Sequence, residues 1–415
     1  MSNYNFRIKN YHSIEDAEIF INGITVLSGD NGCGKSTICR WLYYIVNQIY
    51  LFENTVYNEY KEALASLIDE WQFVLRTKLY GTQFRDSVST NFDLEDSFKQ
   101  ILFSLAQKLA EYLSIETDTQ NRNRLLNYLG VTSFENFSIE FLNIAKEKHD
   151  ILQKDAIDKL QNRRLNDFVA TISSVYQETD SYPQSIELQE DGVNIIEKNN
   201  VGRLLNLHNA IYIDTPMFLS INEGGNFNWR ELRFLLNNRS KNSYQIPEVI
   251  LSEIKKIVGG RFSEQNDLFG NKKLHFVSGS TDIAIEKTAT GVKTFAYLYK
   301  LLENGHLTKN SILLIDEPEA HLHPQWIVDL AHILVLINKN IGSKIVLATH
   351  NPDMVSAVQT IADKEDLLSQ TNFYGAVKNL DSMRYIFKQY FQDVENIFQS
   401  FNIALDKIES YESRL

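Results

Sequence analysis

Two short stretches carry residue types that could act on a phosphate. The first, Gly29-Asp30-Asn31-Gly32-Cys33-Gly34-Lys35-Ser36-Thr37, spaces its outer glycines so that a lysine and two hydroxyls follow at once. Small residues let backbone N–H groups converge on phosphate oxygens, Lys35 offers a point charge to the β- and γ-phosphates, and the Ser36 hydroxyl can ligate Mg²⁺. The second, "IDEPEAHLHP" at 315–324, gathers three carboxylates and two imidazoles. It admits two readings. Glu319, His321 and His323 could hold zinc for hydrolysis, or Asp316 and Glu317 could end a buried strand and serve a nucleotide held elsewhere.

The elements needed to position these groups favour the nucleotide. Ile24 to Leu27 is an apolar, β-branched run that reads as a buried strand, and Ile38, Trp41, Leu42, Ile45, Val46 and Ile49 recur at helical spacing. Strand, glycine loop and helix N-terminus are the parts of a phosphate cradle. Ile312 to Ile315 forms a second buried strand, which puts Asp316 at a carboxyl end, where open α/β sheets bind ligands. There Asp316 can hold Mg²⁺ with Ser36, and Glu317 can act as general base on the attacking water. Ile345 to Ala348 predicts a third strand, ending at Thr349 and His350, whose imidazole could contact the γ-phosphate. His321 and His323 precede Pro324, which reads as the first residue of a helix and weakens the zinc alternative.

Composition bounds the rest. A chain of 415 residues can bury a large core in two or three structural units, and a net charge of −12 argues against a generally basic nucleic-acid binder. Local basic clusters leave nucleic acid open: Arg230, Arg233, Arg239 and Lys241, and Arg122, Arg124, Arg163 and Arg164. The alternative for both clusters is a solvated helix face. Two cysteines, Cys33 and Cys39, are too few for a disulfide framework or a four-cysteine zinc site. With no signal-like N-terminus and no bilayer-length apolar run, the expected location is the cytoplasm, away from membranes.

Taken together, "SGDNGCGKST", "LLIDEPEAHLHP" and "ATHNPD" resemble the Walker A, Walker B and switch-histidine motifs of ABC-type P-loop ATPases. The N-terminal "FRIKNYHSIEDAEIFINGITVLSGDNGCGKST" is similar to the soluble SMC, RecF and OLD-like group, many of which serve DNA repair or bacterial anti-phage defence. The resemblance implies an α/β ATPase head with a mixed sheet, using ATP and Mg²⁺ and forming a head-to-head homodimer or higher oligomer. It also implies a signature motif that reaches the nucleotide of a second subunit. "TATGVKTFAYLYKLL" is the candidate, with Thr290, Gly291 and Lys293 in the places of serine, glycine and lysine. Gln83 or Asp214 could supply the glutamine-loop function, and Tyr11 and His12 lie where the group often contacts adenine. The anti-phage reading implies a separate effector, a nuclease or toxin. The stretch after His350 is expected to be too short for a Toprim-type nuclease domain. Three rivals follow: a RecF-like DNA-repair clamp, a transporter nucleotide-binding subunit, and a ribonuclease built on Arg203 and His208, whose R-x₄-H spacing also occurs at Arg7 and His12.

The long interval between Lys35 and Asp316 predicts a separate lobe. We expect an N-terminal ATPase part over 1–54, a large helical insertion over 55–180 and a mixed strand and loop segment over 181–274. A C-terminal ATPase part over 275–365 and a helical tail over 366–415 complete the division. Within the mixed segment, "SIELQEDGVNIIEK" predicts a hairpin turning at Asp191-Gly192, and "KLHFVSG" with "DIAIEKT" predicts a strand pair.

Overall fold

The computed structural model describes residues 2–79, 94–176, 182–183, 185–214, 227–241, 246–266, 272–391 and 393–398. Two compact units are present: Met1–Tyr50 together with Arg164–Leu415, and Leu51–Arg163.

The first unit is an α/β head built on an eleven-stranded mixed sheet. Its parallel heart contains β3 (Ile24–Ser28), β7 (Asn209–Ile213), β11 (Ser311–Asp316), β12 (Lys344–Thr349) and β13 (Thr371–Lys378), in the spatial order β13-β3-β12-β11-β7. β3 and β12 are buried at every residue and β11 at all but Asp316, as suits the middle of a parallel sheet. One face packs Val26, Ile211, Leu313, Ile345 and Phe373 against α6 (Phe227–Asn237), α7 (Glu248–Val258), α8 (Thr290–Glu303), α9 (Pro324–Ile341) and α10 (Pro352–Lys364). Across the register, Ser28 lies beside Thr349 and Asp316 beside Ala348, so the ends of the three motif strands share one carboxyl edge.

Antiparallel strands extend the sheet on the far side of β13. β1 (Tyr4–Tyr11) and β2 (Ile14–Ile21) form a hairpin, and β1 also pairs with β4 (Ser185–Glu190). β4 and β5 (Val193–Glu197) turn at Asp191 and Gly192, with φ of 50° and 81°, the left-handed pair that suits a two-residue hairpin. β6 (Asn200–Val201) ends the sheet on this side. β8 (Arg261–Asn266), β9 (Lys272–Ser278) and β10 (Thr281–Ala284) make a separate three-stranded sheet, so the expected strand pair carries a third member.

The outer edge of β7 is closed by a side chain. Asn47, buried in α1 (Lys35–Leu79), donates to the Ala210 carbonyl at 2.9 Å and accepts from the Ala210 N–H at 2.8 Å, imitating a neighbouring strand. Asn47→Leu would leave both backbone groups buried without a partner, and we expect it to cost about 2–4 kcal/mol, read from equilibrium denaturation.

The second unit is helical: the later part of α1, α2 (Leu94–Ile115), α3 (Thr119–Leu129) and α4 (Phe137–Asn162). Its own core includes Leu64, Trp71, Leu109, Leu113, Leu126, Phe137 and Phe141. Asp118 caps α3 by accepting from Gln120 and Asn121, and Gly130 closes it with a φ of 76°.

Two expectations are corrected. The helical unit ends at Arg163, and α5 (Leu165–Tyr176) belongs to the first unit, where Tyr176 stacks on Tyr44 with ring centroids 4.3 Å apart. The expected helical tail instead begins with two sheet strands, β13 and β14 (Tyr385–Gln389). Tyr385 to Gln389, expected within an amphipathic helix, form β14, and β13 lies between β3 and β14. Tertiary pairing decides where periodicity alone is ambiguous. Among the described residues, no helix is long and apolar enough to cross a membrane.

Candidate functional site

The loop between β3 and α1 is shaped by three glycines in conformations that other residues rarely adopt: Gly29, Gly32 and Gly34, with φ of 151°, 80° and 107°. At Gly34 a Cβ would fall 2.5 Å from Ile14 Cγ1, and at Gly29 one would fall 2.7 Å from Ala376 Cβ. Close packing therefore keeps the loop backbone bare. The first backbone bond of α1 runs from the Ile38 N–H to the Gly34 carbonyl at 3.0 Å, which leaves the N–H groups of Lys35, Ser36 and Thr37 ahead of any helical acceptor. Those three residues line a cavity of about 570 Å³ with His12, Ser13, Asn31, Gly32, Gly34 and Glu317. Asp30 is exposed on the loop, and Cys33 is buried beneath it.

Lys35 is 5% exposed and curls over the loop, its Nζ donating to the Gly29 carbonyl at 2.7 Å and the Asp30 carbonyl at 2.9 Å. A cation held by loop carbonyls beside converging amides suits a phosphate chain. Burial raises the Cys33 thiol above its ordinary range, with the nearby Lys35 charge pulling the other way.

Asp316 sits at the end of β11, and burial raises its carboxyl above the usual aspartate range. Hydrogen bonding from Ser36 and Tyr212 and the charge of Lys35 oppose that shift, and neighbouring Glu317 reinforces it. Tyr212, from β7, donates to Asp316 Oδ2 at 3.3 Å, whereas Asp316 Oδ1 is buried without a hydrogen-bond partner among the described residues. An orphaned carboxylate oxygen beside a serine hydroxyl fits a hard divalent cation, so Ser36 and Asp316 are the residues that would hold Mg²⁺. Tyr212 was missed by sequence reading: it looks like one more aromatic residue in the strand "NAIYI".

Glu317 follows with a φ of 47°, a turn fixed by its N–H donating to the Ala348 carbonyl at 2.8 Å. Its Oε1 lies 3.5 Å from Nδ1 of His350; both side chains are 45% exposed, and Glu317 lines the cavity. The structure therefore brings together Lys35, Ser36, Asp316, Glu317 and His350 at one edge, with Asp214 following β7 along the same edge. Asp214 accepts from Trp229 Nε1 at 2.8 Å. Gln83 lies outside the described residues. His12 lines the cavity, while Tyr11 is buried against Trp41.

The zinc reading of Glu319, His321 and His323 is not met. His323 caps α9, its Nδ1 facing the Gln325 N–H at 3.4 Å, and Glu319 turns inward to Thr349. Arg203 and His208 do not present a free pair either. His208 Nε2 is 3.0 Å from the Leu205 carbonyl, and its ring stacks on Tyr50.

The expected signature residues open α8, a helix buried on every side from Gly291 to Leu302. Gly291 has a packing reason to be glycine, because a Cβ there would lie 2.5 Å from two carbons of the Trp326 ring. Lys293, expected to be presented to a second subunit, is only 4% exposed, which leaves Thr290 as the accessible side chain of the trio. Gly291→Ala should destabilise the head by about 1–3 kcal/mol through overpacking, with partial recovery when Trp326 is also replaced by leucine, read from thermal unfolding. The basic clusters are partly used internally as well: Arg122 lies over the Phe134 ring at 5.1 Å and Arg163 over Phe52 at 4.7 Å.

The chain is 23% identical over 366 residues to the retron Vc95 probable ATPase of Vibrio cholerae serotype O1 biovar El Tor, covering 80% of this chain and 67% of that protein. It is 18% identical over 383 residues to the endonuclease GajA of Bacillus cereus (strain HuB5-5), covering 80% of this chain and 52% of that protein, so it spans about half of GajA's length. The SMC head domain from Thermotoga maritima superposes with a TM-score of 0.39 at 11% identity, over 94% of this chain and 98% of that one. A match to the AAA ATPase domain extends over residues 1–355, from β1 past β12. With most of its length in that match, the chain belongs to the AAA ATPase domain family and is a P-loop ATPase.

Proposed function

We propose that this ATPase dimerises around Mg·ATP and uses its nucleotide state to control a separate effector protein, a nuclease or toxin, in cytoplasmic anti-phage defence. The observation that carries the reading is the convergence of Lys35, Ser36, Asp316, Glu317 and His350 on one sheet edge beside a glycine cradle. In this scheme Lys35 and the loop amides of Gly29 to Thr37 bind the phosphates, and Ser36 and Asp316 hold the metal. Mg²⁺, when bound, supplies charge neutralisation on the phosphate oxygens. Glu317 accepts a proton from water, and His350 faces the γ-phosphate. Thr290, at the accessible start of α8, and the Gly291 N–H would reach the nucleotide of a second copy. Loss of the γ-phosphate then releases the dimer. The defence role is supported by the names of the relatives, a retron ATPase and the endonuclease GajA.

The test is solution mass with and without Mg·ATP, on the wild type and on Glu317→Gln. We expect the variant to shift to a dimer or larger assembly only with ATP. Unchanged mass despite bound ATP would remove Thr290 and Gly291 from the site and overturn the sandwich.

A further inference from the structure

Glu319 lies two residues beyond Glu317, is 5% exposed, and projects into the head at the end of β12. One oxygen, Oε1, accepts from the Thr349 hydroxyl at 2.6 Å and from the His350 N–H at 3.2 Å. The same oxygen stands 3.5 Å from Nδ1 of His350, equal to the distance from that nitrogen to Glu317 Oε1. Its second oxygen, Oε2, is buried with no hydrogen-bond partner among the described residues. A single imidazole nitrogen thus stands between two carboxylates, one 45% exposed and the other 3% exposed.

The two acceptors are not equivalent. Water can satisfy Glu317 when it lets the imidazole go, but it cannot reach Glu319, and an under-satisfied buried carboxylate is the costlier of the two. Of the two carboxylates facing Nδ1, Glu319 is the one anchored by the protein, through Thr349 and the His350 N–H, and Glu317 is the one open to solvent.

We propose that Glu319 is a positioning residue for hydrolysis. Its carboxylate clamps the carboxyl end of β12 and holds the His350 ring, so that Glu317 is free to take the proton of the attacking water. Glu319 touches no substrate, and it acts through His350 and Thr349. This inference rests on the roles assigned above to Glu317 and His350.

The test compares steady-state ATP hydrolysis by the full chain carrying Glu319→Gln, His350→Ala, both together, or Glu317→Gln, with ATP binding followed by a fluorescent analogue. Glutamine keeps the shape and one acceptor oxygen. We expect Glu319→Gln to lower kcat about tenfold with KM changed less than about twofold, and the double variant to be no slower than His350→Ala alone. Losses that multiply, or an unchanged kcat in Glu319→Gln, overturn the proposal. If Glu319→Gln does not fold, Thr349→Val removes the clamped hydroxyl and is put through the same comparison with His350→Ala, under the same criteria. A wild-type rate in Glu317→Gln is a separate result, because it removes the assigned base and not the clamp.

Discussion

Replacing Glu317 with glutamine is expected to slow ATP hydrolysis by about 10²- to 10⁴-fold while leaving nucleotide affinity within a few-fold. The substitution keeps the side chain's size and its place on the positive-φ turn, with the main-chain N–H still held by the Ala348 carbonyl. What it removes is the proton acceptor. Asp316, Ser36 and Lys35 remain to bind the phosphates and metal, so the loss should fall on kcat and not on binding. Phosphate release and equilibrium binding measured on the same preparation check this. A variant that hydrolyses ATP within threefold of wild type would place the base elsewhere on the edge, with Asp214 the next carboxylate along it.

Lys35→Ala should act on the other term. Lys35 Nζ sits 2.7 and 2.9 Å from the carbonyls of Gly29 and Asp30, so the alanine variant loses both the charge offered to the phosphates and the bonds that shape the loop. Removing a close charged partner of this kind costs about 3 kcal/mol, or roughly 100-fold in affinity for ATP. Titration calorimetry with a slowly hydrolysed ATP analogue measures it. An affinity change below threefold would show that the loop does not hold the β- and γ-phosphates. Because Glu317→Gln retains binding and Lys35→Ala loses it, the pair separates failure of chemistry from failure of capture.

The nucleotide edge was legible because its chemistry is local. Gly29 to Thr37 is contiguous, Asp316 and Glu317 are adjacent, and each follows an apolar run whose end could be read directly. The groups that support them were not legible, because their partners are remote in the chain. Asn47 reads as one polar residue on a helix until Ala210 is placed beside it. Glu319 offers no more than a weak zinc alternative with His321 and His323 until Thr349 and His350 arrive from the next strand. Gly291 reads as a signature glycine, yet the Trp326 ring accounts for its missing side chain. β14 was misread because "YIFKQ" satisfies both helical spacing and strand alternation, and only pairing with β13 and β2 settles it.

The position of β3 constrains the order in which this chain can fold. β3 carries the phosphate loop, yet both of its sheet neighbours lie far further along the chain: Ile24 pairs with Ile345 on one side and Thr371 on the other. Closing so distant a pairing is entropically slow, and little of the sheet rewards it until the last strands are made. The helical unit, Leu51–Arg163, has its own core and need not wait. Nascent chains should therefore hold a folded helical body beside an unformed head, with the apolar β3 unpaired and dependent on chaperones. A ribosome-bound chain stalled before β12 has no completed phosphate cradle, which ties nucleotide binding to synthesis of β12 and β13.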